Sequence, residues 1–377
     1  MITTEQIQWN PSTGWDILSP QSNLAHAQWV MAFAGVDRAH ADFLYPFLRE
    51  RYPKAEILIA SSAGEILGRQ VFDDTITVTA VSFEHSTLKS VELNVEQFGD
   101  PAACGKAIAA ELKGQGLKHV FVISDGISVN GDRLVEALNE ELSPAVLVTG
   151  GLAGDSGRFT KTFVGLNGEA KANRIAAVGF YGEKLKVSFG TEGGWDLFGP
   201  IRKVTRAEDN VLYELDNQNA LEIYKKYLGD RASELPGSAL LFPLCLLDEQ
   251  GNAQLVRTIL SIDEKAGAMR FAGNVPQGAT VQFMMANFDR VVDGAILAAE
   301  QAELDLHPEL VVMISCVGRK TILGPRVEEE VEAVCDHFGK SPAYHGFYSN
   351  GEIAPAPFKV GCSLHNQTMT ITTYREL

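Results

Sequence analysis

The chain has only five cysteines, Cys104, Cys245, Cys316, Cys335 and Cys362, an odd number at wide spacings with no Cys-x-x-Cys pair. Neither a disulfide framework nor a paired-thiol metal motif is indicated, and reduced thiols are expected. Long hydrophobic runs are also missing. The most apolar stretch, Leu240 to Leu247, contains Pro243 and falls far short of the roughly 20 residues that cross a bilayer, so no membrane insertion is expected. No continuous basic stripe is present to replace counterions along a phosphate backbone, which argues against nucleic acid as a partner. Residues Met1 to Pro11 lack the basic and apolar regions of a signal peptide, and a cytoplasmic location is expected. Phosphate loops of the G-x-x-x-x-G-K-[ST] type, H-E-x-x-H zinc helices, G-x-S-x-G elbows and strand-linked G-x-G-x-x-G turns are absent, so catalysis is not expected.

What is present is a folded, acidic chain of 377 residues with 45% hydrophobic residues and 48 acids against 32 bases, a net charge of −16. Its length suits two domains or one large one. The 35 glycines exceed the usual share of about 7% and are dispersed, which points to many tight turns.

A unit of strand, helix, strand and small-residue turn ending in Gly plus an acid occurs three times. The first copy runs from Trp29–Phe33 through a helix around Phe43, Leu44, Phe47 and Leu48 to Ile57–Ala60 and Ser61-Ser62-Ala63-Gly64-Glu65-Ile66. The second runs from Val120–Ile123 through Leu134, Leu138 and Leu142 to Ala145–Val148 and Gly150-Gly151-Leu152-Ala153-Gly154-Asp155. The third runs from Leu310–Ile314 through Val327, Val331, Val334 and Phe338 to Tyr344–Phe347 and Ser349-Asn350-Gly351-Glu352-Ile353. Such a unit fits a parallel strand pair with a right-handed crossover, which places the following turn at one edge of the sheet and lets the three turns converge. Segments Thr75–Val81, Ile175–Phe180 and Met369–Thr372 read as exposed-face antiparallel strands. An antiparallel series is expected over Leu240–Leu247, Gln254–Ile262, Ala268–Ala272 and Thr280–Met285. The fold class is therefore mixed α/β (α+β), with repeated strand-helix-strand units, mixed sheets and two pseudo-related domains, 1–215 and 216–377.

At Ser61–Ile66 and at Gly346-Phe347-Tyr348-Ser349-Asn350-Gly351-Glu352-Ile353-Ala354-Pro355 the sequence resembles the FIST family, whose N- and C-terminal parts carry related Gly-Glu-Ile motifs. Gly193–Pro200, Asn210–Leu215 and Leu364–Thr370 are similar to that family as well. One departure is that Ile59-Ala60 stands where the family's first motif commonly has Gly-Cys. The resemblance implies an intracellular ligand-sensing module, proposed in the family to bind small metabolites such as amino acids and often fused to histidine kinases, cyclases or chemoreceptors. It also implies, as an alternative, a stand-alone branch that binds haem, senses nitric oxide and acts on a partner kinase. This chain has no recognisable output domain, so signalling would need a separate protein.

Candidate site residues follow from the repeated turns. Glu65, Asp155 and Glu352 stand directly after glycines at the expected sheet edge, where ligands of α/β sheets collect; each alone would equally serve as a cap. With Ser349 beside them, these carboxylates would hold the ammonium group of an amino acid while Arg257 or Arg319 forks onto its carboxylate. Trp195, in a glycine-rich stretch, is a pocket floor or a core anchor. For haem b, which needs an axial ligand and an apolar cleft, His85, His345 and His365 are the candidates. The enzymatic alternative is a hydrolase or transferase using Ser61 or Cys316 as nucleophile with His345 as base; Arg319 and Lys320 after Cys316 would depress its thiol pKa.

Overall fold

The structure is a computed structural model and describes residues 1–18, 24–235, 237–303, 305–356 and 360–377. The first unit comprises β1 (Ile2–Asn10), β2 (Gly14–Ile17), β3 (Trp29–Gly35), α1 (Val36–Ala39), α2 (Leu44–Arg51), β4 (Glu56–Ser62), β5 (Glu65–Leu67), β6 (Gln70–Phe72) and β7 (Ile76–Phe83). The second has β8 (Thr87–Asn94), α3 (Val95–Phe98), α4 (Pro101–Leu112), β9 (Leu117–Ser124), α5 (Gly131–Glu141), β10 (Leu147–Leu152), β11 (Val164–Leu166) and β12 (Arg174–Tyr181). The third opens with β13 (Leu185–Glu192). An inserted region follows, with β14 (Asp196–Glu208), β15 (Val211–Leu215), β16 (Gln218–Asn219), α6 (Ala220–Leu228), β17 (Leu244–Leu247), β18 (Ala253–Arg257), β19 (Ile259–Asp263), β20 (Ala268–Phe271) and β21 (Thr280–Met285). The unit resumes with α7 (Phe288–Gln301), β22 (Leu310–Cys316), α8 (Val317–Leu323), α9 (Val327–Phe338), β23 (Ala343–Ser349), β24 (Gly351–Pro355), β25 (Cys362–His365) and β26 (Met369–Glu376).

Local sequence accounts for these elements. In α5, Leu134 and Leu138 lie one turn apart and are buried, and the Asn130 side chain accepts from the Arg133 amide, satisfying one of the helix's first N–H groups. Asn219 and Asn287 cap α6 and α7 in the same way. In each unit two parallel strands, β3–β4, β9–β10 and β22–β23, are joined through helix. A later strand, β7, β12 or β26, returns antiparallel beside the first, and the strand that opened the unit, β1, β8 or β13, pairs outside it.

The short strand after each Gly-acid position leaves its own sheet. β5 of the first unit pairs with β23 of the third, β24 of the third pairs with β10 of the second, and β11 of the second pairs with β4 of the first. The exchange closes a ring. Inside it, residues of all three sheets, among them Trp29, Phe33, Phe121, Phe180, Ile314, Phe347 and Tyr374, form one cluster. Trp29 meets Phe121 and Phe180 edge-on at 5.3 and 4.9 Å, and each such side chain contributes about 1.5–3 kcal/mol by burial. Helices cover the outer faces, with α2 on the first sheet, α4 and α5 on the second, and α7 and α9 on the third.

This two-sided cover corrects the reading of β7, β12 and β26 as exposed-face strands. Their threonines Thr77, Thr79, Thr370, Thr372 and Thr373 are buried, and hydroxyls are paired inside: Thr373 Oγ1 donates to the Ala302 carbonyl at 2.7 Å. Two further expectations change. Gly150 and Gly151 lie within β10 instead of a turn. The expected strand from Leu240 begins only at Leu244, because Gly237–Leu241 forms a 3-10 turn, and Pro243 supplies no N–H to a ladder. Gln254–Ile262 is interrupted at Thr258.

The inserted strands form an antiparallel sheet in the order β18-β17-β21-β14-β15-β20-β19, with its own core around Leu212, Tyr224, Phe271 and Phe283. The expected division near residue 215 falls at the end of β15. In space, β14 and β15 before it pair with β21 and β20 after it.

Candidate functional site

The three Gly-acid segments converge, knitted together by backbone. Ala63 N donates to the Tyr348 carbonyl and Tyr348 N to that of Gly64, both at 2.8 Å; Gly154 N donates to the Ser61 carbonyl at 2.9 Å, and Asn350 N to that of Leu152 at 3.1 Å. Approach is so close that a Cβ on Gly154 would lie 2.6 Å from Ala63 N and 2.8 Å from the Tyr348 oxygen. Only glycine fits there.

The acids themselves point into protein. Glu65 accepts from Ser62 Oγ, from Thr75 N at 3.1 Å and from Thr75 Oγ1 at 2.9 Å. Glu352 accepts from Ser349 Oγ at 2.8 Å, Thr368 N at 3.0 Å and Thr368 Oγ1 at 2.8 Å. Both are buried, and loss of hydration pushes each carboxyl up to about 7 against the opposite pull of its donors. Asp155 is held differently, by the amides of Phe159, Thr160 and Lys161 at 2.9, 2.7 and 3.2 Å. None of these acids lines any of the five cavities compared among the described residues.

Both candidate arginines are occupied. Arg319 is fully buried and bonded to Glu330 through Nε at 2.9 Å and Nη2 at 2.7 Å, with further bonds to the carbonyls of Gly193 and Val291. Arg257 pairs with Asp132 at 3.2 Å and donates to the carbonyls of Asn274 and Leu364 at 2.9 and 3.0 Å. It thereby ties β18 of the inserted sheet to α5 of the second unit. Trp195 donates from Nε1 to the Gln367 carbonyl at 2.9 Å and, with His365, borders a cavity of about 160 Å³.

The haem candidates do not come together. His85 lies at the surface, with Lys184 Nζ 3.1 Å from its Nε2. His345 is fully buried against Phe33, its Nε2 3.1 Å from Thr77 Oγ1, and burial pulls its pKa down to about 3. The largest of the five cavities, about 450 Å³, has no histidine in its wall. These residues do not fit a haem cleft. The nucleophile candidates are likewise enclosed: Ser61 Oγ donates to the Gly154 carbonyl and accepts from Phe163 N. Cys316, capping α8, is buried, and desolvation pushes its thiol well above the ordinary range, outweighing Arg319. The bases that follow it do not activate it. Among the described residues, no group of three His, Cys, Asp or Glu side chains is placed to hold a metal ion.

A cleft that the sequence reading missed lies at the carboxyl ends of β9, β10 and β23. Its wall runs over Gly126–Asn130, Leu152, Phe159 and Asn350, and across to Asn210, Leu260 and Phe271–Gly273 of the inserted region, enclosing about 240 Å³. Asn350 is only 7% exposed, yet neither its Nδ2 nor its Oδ1 has a partner; no other described side chain leaves two buried polar atoms unpaired. Asp155 shapes this wall indirectly, since its bond to the Phe159 amide holds that residue at a φ of 52°. The signal in the sequence is Asn350 itself, inside the third motif and two positions before its acid.

No helix among the described residues is long and apolar enough to cross a membrane. An uncharacterized protein of Methanocaldococcus jannaschii is 24% identical over 233 residues, 58% of this chain and 44% of its own length. One from Mycobacterium tuberculosis is 26% identical over 246 residues, 62% of this chain and 63% of its own. The matched region therefore spans less than two thirds of either relative. The FIST N domain profile matches residues 28–218, and the FIST C domain profile residues 220–355. These domains are sensory, signal-transduction modules, generally non-catalytic, and often pair with histidine-kinase signalling partners. With one profile covering half of its length and the second following directly, the chain belongs to the FIST family.

Proposed function

We propose that this protein senses a small molecule in the Asn350 cleft and passes the signal to a separate partner such as a histidine kinase. The observation that carries the reading is the buried amide of Asn350, unpaired in the wall of a cleft between two parts of the fold. Leaving a buried polar side chain without a partner costs about 1–3 kcal/mol, and a rearrangement of the cleft's loops around an occupant that gives it one recovers that cost. The wall draws on the second unit, the third and the inserted sheet, so an occupant would change how these parts sit together, which is what a partner reads. The earlier candidates Glu65, Asp155, Ser349 and Glu352 then act as clamps that hold the cleft's loops, Arg257 as a tie across it, and Arg319 and Trp195 as core. Residues 1–215 and 216–377 remain our proposed sensory halves.

The test is a metabolite panel read by thermal shift on the protein and on Ile127→Trp, which fills the cleft from its rim. A compound that stabilises the protein and not the variant supports the proposal. Hits that stabilise both equally would place the site elsewhere. Addition of the hit to the protein with its kinase is then expected to change autophosphorylation.

A further inference from the structure

We propose that the open edge of β13 is a docking site where a separate protein adds an extended segment of alternating acidic and apolar residues as a further strand. The site lies at the amino ends of β9 and β10, opposite the Asn350 cleft, and does not rest on the sensory reading. The strand that opens each unit faces the second strand of the unit that receives its donated strand: β1 faces β23, β8 faces β4 and β13 faces β10. Two of these seams are closed by side chains. Gln6 Nε2 donates to the Tyr344 carbonyl at 2.9 Å, Ser90 Oγ donates to Glu56, and the Leu166 amide donates to Glu92 at 2.7 Å. Among the described residues no hydrogen bond joins β13 to β10, and β13 pairs with β26 alone. The third seam instead holds a cavity of about 450 Å³, with Leu185, Val187 and Phe189 on one side and Val146, Leu147 and Val148 on the other.

Backbone phase shows which groups the edge presents. The Lys184 carbonyl accepts from the Leu377 amide at 3.0 Å, so Lys184, Lys186 and Ser188 turn their backbone groups toward β26. Val187 and Phe189, one residue out of phase, turn theirs outward. Both are half-buried and line the cavity, and an added strand would lie about 4.8 Å from them.

Charge selects the occupant. Lys186 stands directly opposite Arg375 on β26, a destabilising arrangement of like charges, and Lys184 shares their face. Lys184 meets His85 and Arg375 meets the His307 carbonyl; no ion pair among the described residues reaches any of the three cations. This occurs in a chain with 48 acids against 32 bases. The adjacent acid, Glu183, is taken by Lys118 at 2.8 Å. A second copy of the chain fits poorly, because antiparallel pairing of β13 with itself would gather both sets of cations on one face, the device by which edge lysines prevent self-association. In an added strand the residues opposite Val187 and Phe189 bond to them and point with them into the seam, while the residue opposite Lys186 points outward. Apolar residues suit the first set and acidic residues the second.

The experiment titrates the whole protein with a fluorescent, end-capped octapeptide alternating Glu and Val, followed by anisotropy and by backbone amide NMR. Comparators are the same peptide with Lys for Glu, and one N-methylated on its valines, whose N–H groups would face β13. The Glu peptide is expected to bind and to shift the Val187 and Phe189 amide signals. N-methylation, which removes several hydrogen bonds, is expected to weaken binding roughly tenfold or more. Lys186→Glu, at an exposed position, is expected to weaken it roughly fivefold by turning attraction into repulsion. Equal binding of the Glu and Lys peptides, or of methylated and unmethylated ones, overturns the proposal, as does no binding at millimolar Glu peptide. A protein that sediments as a dimer, and as a folded monomer once Val187→Pro removes that outward N–H, would give the edge to a second copy and overturn it as well.

Discussion

Glu65 and Glu352 hold equivalent places in the first and third units. Each opens or nearly opens the strand donated to another sheet, accepts from a serine three residues upstream, and clamps the threonine just before the unit's returning strand, Thr75 before β7 and Thr368 before β26. The second unit departs from the pattern. There the residue before β12, Asn173, donates its amide to Asp125 at 2.9 Å instead, which frees Asp155 to shape the Phe159 loop.

The two glutamates predict an inverse pH dependence. Folding raises each carboxyl from 4.5 to about 7, so the folded state binds the proton more tightly. The associated stability is complete below about pH 4.5 and is lost as pH rises through 7. Across that window each site contributes on the order of 3 kcal/mol in total. Glu65→Gln and Glu352→Gln imitate the protonated form, so urea unfolding at pH 5 and pH 8 should show each variant gaining on the parent at the higher pH. A parent-to-variant difference independent of pH would mean the carboxyls fold ionised.

Arg319 should prove structural. Arg319→Met strands Glu330, which also accepts from Ser315 Oγ and the Tyr348 hydroxyl, and is expected to cost about 3–5 kcal/mol. Adding Glu330→Gln should recover part of the loss in a double-mutant cycle. Loss of ligand binding with unchanged stability would return Arg319 to the site.

Asn350 should behave in the opposite way. Since its amide has no protein partner, Asn350→Leu is expected to leave the ligand-free protein at least as stable, with a gain of about 1 kcal/mol. A fall of 2 kcal/mol or more in chemical denaturation would show that the amide serves the fold.

The cysteines should be inert. All five are buried thiols, and burial pushes Cys245 up to about 11 and Cys335 up to about 12. A chromogenic disulfide reagent at pH 8 should label none in the native protein and all five in guanidinium chloride. Fast native labelling of Cys316 would revive it as a nucleophile.

The strand-helix-strand units were legible because the signals for them are local: four-residue apolar spacing over Leu134 and Leu138, an asparagine cap, a short apolar run such as Ile57–Ile59. Convergence of the Gly-acid segments followed from crossover handedness, which needs no knowledge of distant contacts. Which chemistry they present was not legible. Glu65 and Glu352 looked free for a ligand because nothing in a linear reading tells that their oxygens are already taken by Ser62, Thr75, Ser349 and Thr368. Equally, the unpaired state of Asn350 depends on loops at Gly126, Phe159 and Phe271 that lie far away along the chain. Hydrogen-bond satisfaction is a sum over every neighbour in space, and the exchange of β5, β11 and β24 among sheets decides who those neighbours are. The sequence by itself determined the elements and the threefold unit; only the tertiary structure decided which polar groups are consumed by folding and which are left unpaired.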